Sequence, residues 1–103
     1  MTVDEYRRHM TGTFEECLEI SARKCKDYAG DSDPFANFRM VQHLGVCTVE
    51  QGILTRLSDK FSRIANLLGR PEGPAVVDEK VDDTILDAIN YLAILRAWLA
   101  DGR

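Results

Sequence analysis

Residues 48–69, TVEQGILTRLSDKFSRIANLLG, predict one helix with its own start and stop. Thr48 and Gln51 have the spacing of a capping box, in which each side chain accepts a hydrogen bond from the other residue's backbone N–H. Apolar residues then recur mostly at steps of three and four, which is typical of a helix that packs along one side. They are Ile53, Leu54, Leu57, Phe61, Ile64, Leu67 and Leu68. Gly69 follows the last of them and predicts the C-terminal end of the helix.

Helical periodicity extends over most of the chain, and no stretch shows the strict alternation of a strand. A first helix is predicted from Thr2, acting as N-cap, to about residues 27–30. Its apolar face is Val3, Tyr6, Met10, Phe14, Cys17 and Ile20. A last helix is predicted over about residues 78–100, with an apolar stripe wide enough to pack on more than one side.

A cluster of turn residues, 30–34, separates the first helix from a short second one. Pro34 suits the first position of that helix and Asp33 its cap, and Gly45 predicts its end. We therefore predict an all-α fold, a small antiparallel bundle of about four helices that forms one domain over residues 1–103.

Composition narrows the classes of function. The 103 residues are 45% hydrophobic and 29% charged, which is globular and not disordered. A net charge of −4 argues against stable binding to duplex nucleic acid. Three cysteines without a CxxC motif favour reduced thiols and a cytoplasmic protein. No apolar stretch is long enough to span a bilayer, and the N-terminus does not have the pattern of a signal peptide.

The last helix carries an acidic stripe that needs an explanation. Glu79, Asp83, Asp87 and Asn90 lie within roughly 80° of one another at about 100° per residue. Like charges at this spacing repel one another, so a divalent cation or a cationic ligand group would stabilise them. The alternative is an acidic face in solvent whose first turn complements the helix dipole.

The preceding helix presents charges of both signs on one face: Arg56, Asp59, Lys60 and Arg63, followed by Asn66. The basic residues could bind phosphates while Asp59 joins the carboxylates of the last helix. An ordinary charged surface with i,i+4 pairs explains the same pattern.

Two further groups lie where the first and second helices meet. Lys24 and Tyr28 are near the end of the first helix, and Asn37 lies between Phe35 and Phe38. An aromatic ring beside a polar loop can stack on a nucleobase. A lysine at a helix C-terminus is also favoured by the dipole without any function.

Three ordered blocks between residues 24 and 95 carry a family resemblance. They are K-x-x-D-Y-A from residue 24 with P-F-A-N-F from residue 34, R-x-x-D-K-x-x-R-x-x-N-L from residue 56, and D-E-x-x-x-D-T-x-x-D-x-x-N-Y from residue 78. Together they resemble a small phage and prophage family, the nucleotide-modification-associated domain of type one. That family is regarded as similar to the MazG-like all-α nucleotide pyrophosphohydrolases.

The resemblance implies a homodimer or homotetramer in the cytoplasm of a bacterial host. It implies Mg²⁺-dependent cleavage of ribo- or deoxynucleoside triphosphates to monophosphate and pyrophosphate, with Mn²⁺ as a possible substitute. The implied metal ligands are Glu79, Asp83 and Asp87. The implied catalytic residues are Asp59, Lys60 and Arg63. The implied substrate-binding residues are Lys24, Asp27, Tyr28, Asn37, Phe38, Arg56, Asn66 and Asn90.

One departure from the family pattern keeps other functions open. MazG-like enzymes present EExxE on the helix before the last, whereas residues 56–60 are RLSDK and the literal EExxE is at 15–19. The missing acids favour a protein that binds or sequesters a nucleotide without cleaving it. The retained Asp83 and Asp87 favour the enzyme. A helical interaction module is the third class.

Overall fold

A computed structural model describes residues 1–28, 32–70 and 81–101, and every regular element in them is helical. Helix α1 is Val3–Tyr28, α2 is Ala36–His43, α3 is Val49–Leu68 and α4 is Val81–Asp101. Helix α3 packs mainly on α4, while α2 packs on α3 and α1 on α4. The prediction of a small all-α bundle is confirmed. No described helix is both long enough and apolar enough to cross a membrane.

The sequence signals place the ends of α1 and α3 correctly. Thr48 Oγ1 accepts from the Gln51 backbone N–H at 3.1 Å, and the Gln51 side chain accepts from the Thr48 N–H at 3.0 Å. Thr2 and Glu5 form the same reciprocal pair at the start of α1. Gly69 is the C-cap of α3. A capping box satisfies two orphan donors at once, which is why it predicts a helix start so well.

The start of α2 differs from the prediction. The helix begins at Ala36 rather than Pro34, and Phe35 is the N-cap without a side-chain cap bond. Asp33 does not cap the helix. Its side chain accepts a hydrogen bond from the backbone N–H of Phe35 at 3.0 Å, which closes an Asx turn over residues 33–35. This turn places Phe35, now ahead of the helix, in the core.

The end of α2 is a Schellman motif. The Gly45 N–H donates to Gln42 at 2.9 Å, and the Val46 N–H donates to Val41 at 3.2 Å. Gly45 has a φ of 76°, the left-handed conformation that this motif requires and that glycine adopts without a Cβ clash. The motif ends α2, and the five residues 44–48 connect it to α3, which starts at Val49.

The core lies where α2, α3 and α4 meet. Phe35, Phe38, Val49, Ile53 and Trp98 form one buried cluster. Val49 and Ile53 are fully buried, and the rings of Phe35 and Trp98 meet edge-on with centroids 5.3 Å apart. Burial of each of these side chains is worth about 1.5–3 kcal/mol. The core therefore fixes the face of α4 that the candidate site uses.

Much of the apolar surface lies outside this core. The predicted apolar face of α1 buries Cys17, whose thiol lies 3.8 Å from the Leu86 carbonyl oxygen on α4. The rest of that face toward the N-terminus, namely Val3, Tyr6, Met10 and Phe14, is exposed. The radius of gyration is 15.7 Å, against about 13 Å for a compact domain of this length. Among the described residues, the fold thus leaves apolar helix faces exposed.

Candidate functional site

A cleft of about 470 Å³ lies among all four helices, and we call it the cation pocket. Its polar lining consists of Ser21, Lys24, Asn37, Arg56, Lys60, Asp87 and Asn90. Its less polar wall includes Cys25, Phe35, Phe38, Tyr91 and Ile94. Pockets of this size, mostly apolar with a few convergent polar groups, are typical of small-molecule sites.

Asp87 is the centre of the charged end of the pocket. Lys24 Nζ on α1 donates to Asp87 Oδ1 at 2.9 Å. Lys60 Nζ on α3 lies 3.2 Å from Asp87 Oδ2. Each carboxylate oxygen thus has its own ammonium group, and the three side chains connect three helices. The Lys60 side chain is 17% exposed and that of Lys24 is 49% exposed, so Lys24 is the more accessible cation.

The two lysines hold Asp87 in its charged form. Partial burial raises the pKa of Asp87, but the hydrogen bonds and charges of Lys24 and Lys60 lower it by more. The pKa of this carboxyl is therefore below its ordinary value, and Asp87 is an anion at neutral pH.

Arg56 supplies a third cation in the same pocket. Its guanidinium carbon lies 5.4 Å from the centroid of the Phe38 ring, within the range of a cation–π contact. Phe38 meets Tyr91 edge-on, with centroids 6.4 Å apart. In the described residues no carboxylate forms an ion pair with Arg56. The described lining therefore holds three cations and one carboxylate.

Asn90 gives the pocket an unsatisfied donor. Its side-chain Nδ2 is buried and has no hydrogen-bond partner among the described residues. A buried amide donor without a partner costs about 1–3 kcal/mol. Asn90 lies three residues after Asp87 on the same face of α4 and lines the pocket with Asn37. A ligand that accepts a hydrogen bond here would recover that cost.

The structure brings together only part of the predicted site. The pocket contains Lys24, Asn37, Phe38, Arg56, Lys60, Asp87 and Asn90. Five predicted residues are exposed and do not line it, namely Asp27, Asp59, Arg63, Asn66 and Asp83. Glu79 and the side chain of Tyr28 lie outside what the structure describes. Thus most of the predicted basic and amide side chains line the pocket, whereas Asp87 is the one described carboxylate of the predicted site that does.

The predicted Mg²⁺ site can be tested against the donor atoms. No three or more His, Cys, Asp or Glu groups in residues 1–28, 32–70 and 81–101 could hold one metal ion. Asp87 gives both oxygens to lysines, and Asp83 is exposed outside the pocket. The described residues of one chain therefore do not fit Mg²⁺ on their own. A site that includes Glu79 or a second chain stays a prediction.

Sequence reasoning missed several lining residues that helical spacing could have found. Asp87, Asn90, Tyr91 and Ile94 follow the steps i, i+3, i+4 and i+7 on one face of α4. Ser21, Lys24 and Cys25 follow i, i+3 and i+4 on α1. Tyr91 and Ile94 resemble core positions by type, so nothing in their chemistry alone indicated a site. Only the placement of α1 beside α4 shows that these faces enclose a cleft.

Comparisons with known proteins give no further guide to the site. No model of a known protein family matches this chain, and neither a curated protein nor a solved structure does. The resemblance carried by the three sequence blocks stays a prediction. The function has to be argued from the chemistry of the cation pocket.

Proposed function

We propose that the cation pocket binds a nucleotide and that its charged end holds the phosphates. The observation that carries this is the excess of cations: Lys24, Lys60 and Arg56 face a lining that contains one carboxylate, Asp87, among the described residues. Charge-assisted hydrogen bonds to phosphate are about twice as strong as neutral ones. A ligand phosphate at this end would offset charge that Asp87 alone does not neutralise.

The rest of the pocket lining supports a base rather than a bare phosphate. Tyr91, which is only partly buried, provides an aromatic ring in the lining, and base–aromatic stacking is worth about 1–3 kcal/mol per base. Asn90 provides an amide donor that has no partner among the described residues, and Asn37 lines the same cleft. Cations beside aromatic and amide groups in one cleft suit a phosphorylated nucleoside.

The test is equilibrium binding of all ribo- and deoxynucleoside triphosphates, with pyrophosphate as a probe that lacks a base. Titrations are run with Mg²⁺, with Mn²⁺ and with EDTA. We expect at least one nucleotide to bind and Lys60→Met to weaken it by about 10- to 100-fold. Lys26→Met is the matched control, because Lys26 is exposed near the end of α1 and does not line the pocket. A panel in which no nucleotide binds would overturn the proposal.

Hydrolysis is the second candidate, and the family resemblance favours it. The resemblance assigns metal binding to Asp83 and Asp87, and one of the two lies inside the pocket beside two lysines. Chromatography of the same samples would separate monophosphate and pyrophosphate from the substrate. Product that forms with Mg²⁺, disappears with EDTA and is lost in Asp83→Asn would establish a nucleotide pyrophosphohydrolase. Binding without product would leave a nucleotide-binding or nucleotide-sequestering protein.

We also propose that the chain forms a homodimer through exposed apolar stripes. Helix α3 exposes Leu54, Phe61 and Leu68, and α4 exposes Ile85, Leu92 and Leu99. We call these six residues the apolar seam. Both stripes have seven-residue spacing, which keeps side chains within about 20° per step and is typical of helix–helix contacts.

The exposed surface area supports assembly of the chain. The chain exposes 7621 Å². A compact monomer of 11.6 kDa exposes roughly 5,800 Å². The chain therefore exposes more surface than a compact monomer of its mass. We propose the homodimer as the basic unit, from which a homotetramer could form.

The cysteines are consistent with a cytoplasmic location, which is part of this proposal. Cys17, Cys25 and Cys47 are all free thiols in the structure. Cys17 is buried, and burial together with nearby Glu16 and Asp87 raises the pKa of its thiol. Such a thiol is protonated and unreactive at neutral pH.

A further inference from the structure

Asp87 bridges the two lysines of the cation pocket. Its two oxygens lie 2.9 Å from Lys24 Nζ and 3.2 Å from Lys60 Nζ. A carboxylate that bridges two ammonium groups makes the same contacts as two oxygens of a phosphate. The protein therefore supplies its own anion to the two lysines of the pocket.

A ligand phosphate cannot share these lysines with Asp87 freely. A phosphate oxygen bonded to either ammonium would lie roughly 5 Å from the carboxylate. The Lys60 side chain is only 17% exposed, so little of it is accessible to a ligand. Two anions at this distance in a partly desolvated cleft repel one another by an amount that corresponds to about tenfold in affinity.

We infer that Asp87 is a counter-ion that the ligand's phosphate displaces from Lys24 and Lys60. This inference rests on the proposed binding of a nucleotide and names the step by which the phosphate enters. Lys24 is the lysine that releases Asp87 first, because its side chain is 49% exposed. Arg56 lies in the same lining and provides a further donor for the incoming phosphate. In the absence of ligand, Asp87 keeps the two ammonium groups in place.

The inference assigns Asp87 the opposite role from the one that the resemblance implies. A metal ligand contributes to affinity, so replacing it weakens metal-dependent binding. A displaced counter-ion competes with the ligand, so replacing it strengthens binding without metal. The sign of one change in affinity therefore separates the two roles.

The experiment measures the binding of pyrophosphate, and of the tightest nucleotide of the panel, to Asp87→Asn in EDTA. We expect about tenfold tighter binding than in the unsubstituted protein, because Asn keeps the shape and removes the charge. Asp101→Asn is the matched control: it removes the same charge from the exposed end of α4, and its affinity should stay within about twofold.

Each result decides between specific alternatives. Unchanged or weaker binding by Asp87→Asn in EDTA overturns the inference. A loss of Mg²⁺-dependent binding in Asp87→Asn also overturns it, because that loss is expected of a metal ligand. If neither the unsubstituted protein nor the variant binds any probe, the proposed function itself fails. Circular dichroism checks the fold of the variant, and Asp87→Ser, which removes the same charge, replaces Asp87→Asn if the latter does not fold.

Discussion

Helices α3 and α4 together carry two surfaces of opposite character, one polar and one apolar. On one side lies the cation pocket, where charges and amides converge on a cleft. On the other lies the apolar seam. At about 100° per residue, Leu92 lies roughly 140° from Asp87 around α4, and Phe61 lies roughly 140° from Arg56 around α3. The same pair of helices therefore carries a polar site and a separate apolar face.

The two surfaces depend on different physical properties. The seam depends on area, because apolar burial is nondirectional and roughly proportional to the surface removed from water. The pocket depends on a few positions, because hydrogen bonds and ion pairs are lost when one atom moves. Substitutions on the seam should change assembly, and substitutions in the pocket should change binding.

The largest effect, on dimer dissociation, is expected from charged residues introduced into the apolar seam. Phe61→Glu combined with Leu92→Glu should raise the dimer dissociation constant at least about 100-fold, since buried anchors are worth about 2 kcal/mol or more each. Sedimentation equilibrium measures the change. Ser62→Glu adds a similar charge to an exposed position of α3 beside the seam and should leave the dimer intact. A chain that is already monomeric at high concentration would contradict the prediction.

The next effect is in the pocket and should leave assembly unchanged. Lys60→Met should weaken nucleotide binding by about 10- to 100-fold, because it removes one charge-assisted bond to phosphate. Its sedimentation should match that of the unsubstituted protein, because Lys60 contributes to the pocket and not to the seam. If Lys60→Met dissociates the dimer, the two sides are not independent.

The two sides also differ in how well the sequence predicts them. Thr48, Gln51 and Gly69 fix the ends of α3 through local hydrogen bonds, so its bounds follow from the chain alone. The spacing of Leu54 and Phe61 likewise shows an apolar stripe, but it does not show that the stripe stays outside the core. That outcome depends on which neighbours α3 meets, and those are distant in sequence.

The sequence indicated which types of residue would line the pocket but not which of them would be in contact. Lys60 and Asp87 stood out as charges that needed an explanation, and both line the cleft. Periodicity alone placed Asp59 and Asp83 with them, yet both are exposed outside it. A helical phase gives the direction of a side chain to within a few tens of degrees. Contact within 3 Å needs the position of the neighbouring helix as well.

A smaller effect is expected at Asn90, where one substitution should weaken nucleotide binding and raise the free energy of unfolding. Asn90→Leu should weaken nucleotide binding by roughly 5- to 10-fold, because the ligand loses an amide partner worth about 1 kcal/mol. The same change removes a buried donor that has no partner among the described residues, so the free energy of unfolding should rise by up to about 1 kcal/mol. Isothermal titration and thermal unfolding measure the two. Equal weakening for pyrophosphate would show that Asn90 does not act on the base.

The smallest effect is the dependence of stability on pH at Asp87. The pKa of Asp87 is lowered in the folded chain, since the contacts with Lys24 and Lys60 outweigh partial burial. A lowered folded pKa stabilises the fold above the unfolded value of about 3.9, and this stability is lost as pH falls through the folded pKa. Because Lys24 is half exposed, solvent screens the pair, and its contribution at pH 7 should be about 1 kcal/mol or less.

Asp87→Asn isolates this contribution, because Asn does not titrate. Urea unfolding at a series of pH values should show the variant less stable at pH 7 by about 1 kcal/mol or less, with the difference shrinking below about pH 4. A difference that stays constant down to pH 2 would mean that Asp87 stabilises the fold by its shape and not by its charge. The same variant should bind phosphate more tightly at pH 7 if Asp87 is the displaced counter-ion. In that case the two lysines are positioned to bind a ligand phosphate. Asp87 then offsets the repulsion between their ammonium groups when no ligand is bound.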